Sequence, residues 1–160
     1  EWMSAGSAGR KHVAEGYTAV DAIKVLGAYI GPDAACRALL LKQKAKVANF
    51  FRRLPLLDPD IASALLQVSG IPRVSYIART HRPAVSAEYL SSFDACVQAA
   101  WCALAGIESP SESTLALASL STSAGGMGFI RWTERCRHAY AASLESSLLP
   151  PHGPISNVKE

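Results

Sequence analysis

Lys42, Lys46 and Arg53 recur at intervals that set all three within about 40° of one another on a single helix. No Asp or Glu lies between Ala34 and Leu57 to neutralise them through an i,i+4 pair. Arg37, Lys44 and Arg52 flank the same stretch, and Arg73, Arg79 and Arg82 carry the positive character further along the chain. Between Ala34 and Arg82 nine Lys or Arg face two Asp, a balance of +7; between Pro83 and Leu149 three Arg face six acids, a balance of −3. The net charge of +3 is therefore concentrated in the first half of the chain. Uncompensated cations of this kind suit a polyanion such as nucleic acid, and they also suit a plain solvated helix face. Both readings stand on composition alone.

Other chemistries find less support. Cys36, Cys96, Cys102 and Cys136 contain no C-x-x-C pair, and a spacing of six turns Cys96 and Cys102 about 120° apart on a helix. His138, two residues after Cys136, is splayed from it in the same way. The cysteines read as buried free thiols of a reducing, intracellular compartment, with nucleus and cytoplasm both open, and no metal site or cofactor is expected. Gly125-Gly126-Met127-Gly128 invites a phosphate-loop reading, but Arg131 stands where a dinucleotide fingerprint needs glycine. A tight backbone turn is expected instead. No G-x-S-x-G elbow is present, and Asp21, Asp33, Asp58, Asp60 and Asp94 include no adjacent pair for two-metal catalysis. His81, among arginines with no carboxylate nearby, reads as exposed. No catalytic residue and no small-molecule substrate are assigned.

These side chains need elements to hold them. A chain of 160 residues with 49% hydrophobic and 18% charged residues is apolar enough to fold as one domain. No uninterrupted apolar run approaches the roughly 18 residues of a membrane span. Ala22–Ile30 is short, β-branched and closed by Gly31-Pro32, which predicts a strand or hairpin arm, with Gly27 marking a bulge or a close backbone approach. Asp33 is expected to cap a helix running to Leu54, where Pro55 stops it; Leu40, Val47, Phe51 and Leu54 form its apolar stripe, opposite the cations. Asp58-Pro59 opens a further helix carrying Ile61, Leu65 and Val68 on one side, and Gly70-Ile71-Pro72 should kink or break it. A helix from Ser86 to Gly106 lines up Tyr89, Phe93, Val97, Ala100 and Leu104 as the centre of the core. A short helix, the glycine turn and a last helix over 133–148 complete a mainly α fold: a bundle of four to six helices with a short N-terminal strand or hairpin. The predicted organisation is a linker or tail at 1–21, a helical domain at 22–148 that opens with the hairpin segment 22–31, and a flexible tail at 149–160. The start at Glu1 suggests a piece of a longer protein.

The order of these pieces resembles one family. Ile23-Lys24-Val25-Leu26-Gly27-Ala28-Tyr29-Ile30-Gly31 is similar to the "K-V-L-G-x-x-I-G" segment that follows the palm in non-LTR-type retroelement reverse transcriptases. Leu65 to Arg79, reading L-L-Q-V-S-G-I-P-R-V-S-Y-I-A-R, resembles their thumb-region helix. Phe93-Asp94 matches the "fD" that opens the next helix, Gly125 to Phe129 the "GGlGl" turn, and Ala139 to Leu144 the "AylaSl" of the closing helix. The resemblance covers residues 22–148 and implies the thumb of an RNA-directed DNA polymerase. It would place Lys24, Leu26 and Gly27 beside the primer end, as a primer grip. With Lys24, the cations Arg37, Lys42, Lys44, Lys46, Arg52, Arg53, Arg73, Arg79 and Arg82 would bind the nucleic acid, the basic helices lying against the backbone of an RNA or RNA–DNA duplex. The family's catalytic Tyr-x-Asp-Asp and its Mg2+ belong to a palm upstream, which would be the other partner. The alternative is a retroelement remnant reused as a noncatalytic helical protein-interaction or assembly module.

Overall fold

Leu26 and Gly27 fold the first described segment back on itself. In the computed structural model, which describes residues 21–148, β1 (Ile23–Val25) pairs antiparallel with β2 (Ala28–Ile30), with Lys24 opposite Tyr29. Leu26 at φ +50° and Gly27 at φ +96° are both left-handed, as a two-residue hairpin loop of right-handed twist requires. A Cβ on Gly27 would meet the Tyr76 ring at 3.3 Å, so this glycine serves a turn and a close approach together. The segment is thus a hairpin. The tails expected at 1–21 and 149–160 fall, apart from Asp21, outside the described residues.

The helix expected from Asp33 to Leu54 is two. α1 spans Asp33–Lys42 and α2 spans Lys44–Arg53, followed by a 3-10 turn over Leu54–Leu56. At Gln43 the backbone tightens to an N–H bond onto Leu40 O at 3.0 Å, while the side-chain amide of Gln43 donates to the Tyr29 hydroxyl of the hairpin. Gln43 stays in the right-handed helical region, so the phase carries across the break, and Leu40, Val47, Phe51 and Leu54 are all buried. Asp33 is the first helical residue, behind Pro32, and makes no cap. Its carboxylate accepts from Arg82 instead, at 2.5 Å. Asp58 does cap α3 (Pro59–Leu65), accepting from the Asp60 N–H at 3.0 Å.

After α3 the chain widens into a π turn over Leu66–Gly70, then a 3-10 turn over Ile71–Val74 and α4 (Ser75–Thr80). Pro72 lacks the N–H that would continue the α ladder, which accounts for the break expected there. Gly70 is buried and lets the turn approach Phe51: a Cβ would lie 3.2 Å from its Cε1. The side chains buried from α3 to α4 are Ala62, Leu66, Ile71, Val74, Ile77 and Ala78, whereas Ile61, Leu65 and Val68 are 56%, 37% and 80% exposed. The apolar side read for this helix therefore faces outward.

α5 (Pro83–Ala105) is the axis of the fold, opened by Pro83 in its first turn and closed by Gly106 in the left-handed region at φ +66°. It touches α1, α2, α3, α4 and α7 (Trp132–Leu148). Tyr89, Phe93, Val97 and Ala100 are buried, with Leu104 half-buried at the end, as the period predicts. The rings of Phe51 and Phe93 meet edge to face at 5.3 Å. Between α5 and α7 lie α6 (Glu112–Ser119), capped by Ser111 through the Thr114 N–H at 3.1 Å, and the glycine turn. The fold is mainly α with an N-terminal hairpin, and five of its helices are eight residues or longer.

Candidate nucleic-acid interface

The ten candidate cations do not form one surface. Arg37 donates to Ala84 O at 3.0 Å, Lys44 pairs with Glu88 at 3.1 Å, and Arg82 pairs with Asp33 at 2.5 Å. These contacts pin α1 and α2 to the start of α5. The acids that neutralise Lys44 and Arg82 come from 44 and 49 residues away, which no i,i+4 rule detects. Both pairs are exposed and contribute only about 0–1 kcal/mol each; their role is orientation of the helices. Arg52 lies along its own helix, donating to Asn49 Oδ1 at 3.1 Å.

Lys42, Lys46, Arg53 and Arg79 are exposed and make no ion pair or hydrogen bond among the described residues. Lys46 and Arg53 share one outer face of α2, and Lys42 leads into it from the end of α1. Phe50 sits at the border of that face and the buried stripe. Arg73 reaches across from the 3-10 turn and lays its guanidinium 3.9 Å from the Phe50 ring centroid, with Nη2 3.4 Å from Ser69 Oγ. Phe50 carried no signal in the sequence as a polar site, because its partner is set by the turn at Ile71–Val74.

At the hairpin, Leu26 is 91% exposed at the tip, and Lys24 holds its ammonium 6.0 Å over the Tyr29 ring. The hairpin is fastened by His81, which corrects the expectation of an exposed side chain: it is 4% exposed. Its Nε2 accepts from the Tyr29 N–H at 3.0 Å, and its Nδ1 lies 3.0 Å from Thr80 Oγ1. The Thr80 hydroxyl donates to Tyr76 O at 2.8 Å, so Nδ1 carries the proton and the ring is neutral. Burial lowers the His81 pKa, against a smaller opposing pull from the Ile77 backbone. Cys36 lies under the same strand, 3.4 Å from Tyr29 O, its thiol pKa raised by burial and by Asp33.

The glycine turn offers no anion cradle. Its amides are consumed internally: Gly126 N–H bonds Ser121 O at 3.0 Å, Met127 N–H bonds Ala118 O at 3.1 Å and Gly128 N–H bonds Leu120 O at 2.8 Å. A Cβ on Gly126 would lie 2.2 Å from Leu120 O, so only glycine fits. The turn seats Met127 Sδ 2.8 Å from Trp101 Nε1 and the Phe129 ring 5.3 Å from the Trp101 ring. Asp94 is likewise structural, with Oδ1 accepting from the Trp132 N–H at 3.0 Å and Oδ2 from the Thr133 N–H and hydroxyl at 3.0 and 2.8 Å. Among the described residues no helix is long and apolar enough to cross a membrane. Comparison with known proteins finds no matching family model, no similar curated protein and no similar solved structure.

Proposed function

We propose that this chain is the thumb and C-terminal region of a retroelement reverse transcriptase, binding RNA or an RNA–DNA template-primer when joined to its palm. The observation that carries the reading is the outer face of α1 and α2, where Lys42, Lys46 and Arg53 stand exposed without an acid. Supporting it is the chain order of hairpin, basic helices, Pro-interrupted helix and glycine turn. Contacts from such a face go to phosphate, so binding is sequence-tolerant and weakens with salt. The chain itself holds the nucleic acid and performs no chemistry; catalytic aspartates and Mg2+ belong to the palm. Fluorescence anisotropy of a labelled RNA–DNA duplex tests this across a salt series. Each lost phosphate contact lowers the log–log salt slope by roughly 0.9, so Lys42→Ala, Lys46→Ala and Arg53→Ala together should lower it by nearly three units. No binding at low salt would refute the proposal.

A second reading, a noncatalytic protein-interaction or assembly module, is favoured by a different observation. Leu57, Ile61, Leu65 and Val68 expose an apolar stripe along α3 and the π turn, and Val25 and Leu26 expose another patch on the hairpin. Self-association that persists in high salt, measured by sedimentation, would favour this module over nucleic-acid binding.

A further inference from the structure

The cleft beside the glycine turn belongs neither to the basic face of α2 nor to the apolar stripe of α3. Where the chain passes from α6 to α7, an inner hollow of about 50 Å³ is walled by Val97, Trp101, Leu115, Phe129 and Ile130. It adjoins an outer groove of about 650 Å³ bordered by Ser119, Gly128, Arg131, Arg135 and His138. Ser119, Phe129, Ile130 and Arg131 line both, so the two form one cleft with an apolar floor and a polar mouth. The charge at that mouth is unlike its surroundings. Between Pro83 and Leu149 three Arg stand against six acids, and two of the three, Arg131 and Arg135, border the groove. Their i,i+4 spacing at the start of α7 sets them on one side of the helix. Among the described residues the Arg135 guanidinium makes no ion pair or hydrogen bond, and that of Arg131 has only Glu134, Nη1 to Oε1 at 3.5 Å. The backbone N–H groups of Ile130 and Arg131 bond no acceptor among the described residues either. Asp94 borders the hollow, but both its oxygens are occupied by Trp132 and Thr133.

The two parts ask for different ends of one ligand. An apolar cavity of about 150 Å³ takes a benzene ring, so a hollow of about 50 Å³ suits a short branched alkyl group instead. At the mouth two guanidinium groups face the single carboxylate of Glu134, a balance that matches one further negative charge, and the planar fork of arginine pairs best with a carboxylate or phosphate. A phosphate near neutral pH carries closer to two charges than one, which favours the carboxylate. The outer groove is far larger than a carboxylate fills, so the ligand continues past its charged end. A branched alkyl group beside a single carboxylate, with chain running on from both, is the free C-terminus of a peptide ending in Leu or Val. We infer that this cleft binds such a C-terminus, the last side chain in the hollow and the carboxylate on Arg131 and Arg135. Neither arginine is among the ten cations of the nucleic-acid face, and the inference is independent of that reading.

The test titrates the full chain against short fluorescein-labelled peptides of Gly and Ser, followed by anisotropy. A peptide ending in Leu with a free carboxylate should bind roughly tenfold more tightly than its C-terminal amide, and more tightly by a similar factor than the same peptide ending in Gly. Arg131→Gln with Arg135→Gln, both at exposed positions, should abolish the advantage of the carboxylate over the amide, whereas Glu134→Gln, which removes the competing acid, should enlarge it. Leu115→Ala widens the hollow and should move the preference from a Leu end towards a Phe end, a change that loss of structure would not produce. Equal binding of carboxylate and amide, equal binding of the Leu and Gly ends, or no binding of any peptide overturns the inference. Competition by N-acetyl-leucine with the affinity of the whole peptide would show a site for small carboxylates and overturn the peptide assignment.

Discussion

α1 and α2 are held against α5 by one apolar stripe, whereas α7, which packs on α4 and α5, also has its first turn fixed by hydrogen bonds from single residues. In the first region Leu40, Val47, Phe51 and Leu54 present one apolar stripe to Tyr89, Phe93 and their neighbours, and the polar contacts at its rim are exposed. In the second, Asp94 alone satisfies two backbone donors at the start of α7, and Trp132 Nε1–H reaches Ile71 O at 2.7 Å inside the core. The difference follows from what each region must do. A basic outer face needs an inner face that holds it without using its charges, and a periodic stripe does that. α7 arrives after a serine-rich segment and a glycine turn, and Asp94 fixes its first turn by accepting from the Trp132 and Thr133 amides.

The largest effect should come from the stripe. Phe51→Ala removes a buried ring that touches Phe93 and closes on Gly70, and its expected penalty is about 3–5 kcal/mol by urea unfolding. Ile61→Ala, chemically similar but on the outward side of α3, should shift stability by no more than about 0.5 kcal/mol. A large penalty at Ile61 would mean that the α3 stripe is covered in solution, and the contrast between buried and open stripes would then disappear.

Asp94 should come next. Asp94→Ala strands the Trp132 and Thr133 amides and the Thr133 hydroxyl, with an expected loss of about 1–2 kcal/mol, as for removal of a helix cap. Asp94→Asn keeps an acceptor and should recover part of it. Hydrogen exchange should show the loss concentrated in the first turn of α7. A loss spread evenly over α1 and α2 would show that the two regions are not fastened independently.

This division also explains what could be read in advance. The hairpin, the Pro59 helix start, the break before Pro72, the Gly106 stop and the core positions Tyr89, Phe93 and Val97 all follow from local rules of period, proline and glycine, whereas the helix expected from Ser86 begins one turn earlier, at Pro83. The outward side of α3 did not, because a stripe of Ile61, Leu65 and Val68 says that one side is apolar and not that the chain covers it; the smaller Ala62 and Gly70 allow the closer approach and were buried instead. Nor could sequence spacing reveal the Lys44–Glu88 and Arg82–Asp33 pairs or the acceptor role of Asp94, each of which joins residues 38 or more apart. Of the candidate interface, the face formed by Lys42, Lys46 and Arg53 was legible; the Phe50–Arg73 contact depends on the turn that brings Arg73 back.

The hairpin tests the comparison from the other side, since it lies in the basic half yet is fastened in the manner of α7. His81 Nε2 accepts from the Tyr29 N–H only while the ring is neutral, and protonation would turn an acceptor into a second donor. Burial holds the folded imidazole below its ordinary pKa of 6.5, with the Ile77 backbone opposing in part. The groups around it do not reverse that sign: the Tyr29 ring stands at 6.1 Å on β2, Cys36 on α1 lies beneath the strand, and the neighbouring Arg82 and Asp33 are paired with each other. The unfolded chain therefore takes up the proton at higher pH than the folded one. Stability attributable to His81 is fully present above about pH 6.5, falls as pH drops from there towards the lower folded pKa, and levels off below it. The bond involved contributes about 1 kcal/mol, the smallest of these effects. Urea midpoints taken between pH 7.5 and 5.5 should decline for the unmodified chain and decline less for His81→Gln, and Tyr29 amide protection should weaken in the same window. A pH dependence unchanged by His81→Gln would place the hairpin with the shape-held region, fastened by packing of Tyr29 and Gly27 against Tyr76 and its neighbours, and would remove histidine from the set of residues that aim the chain.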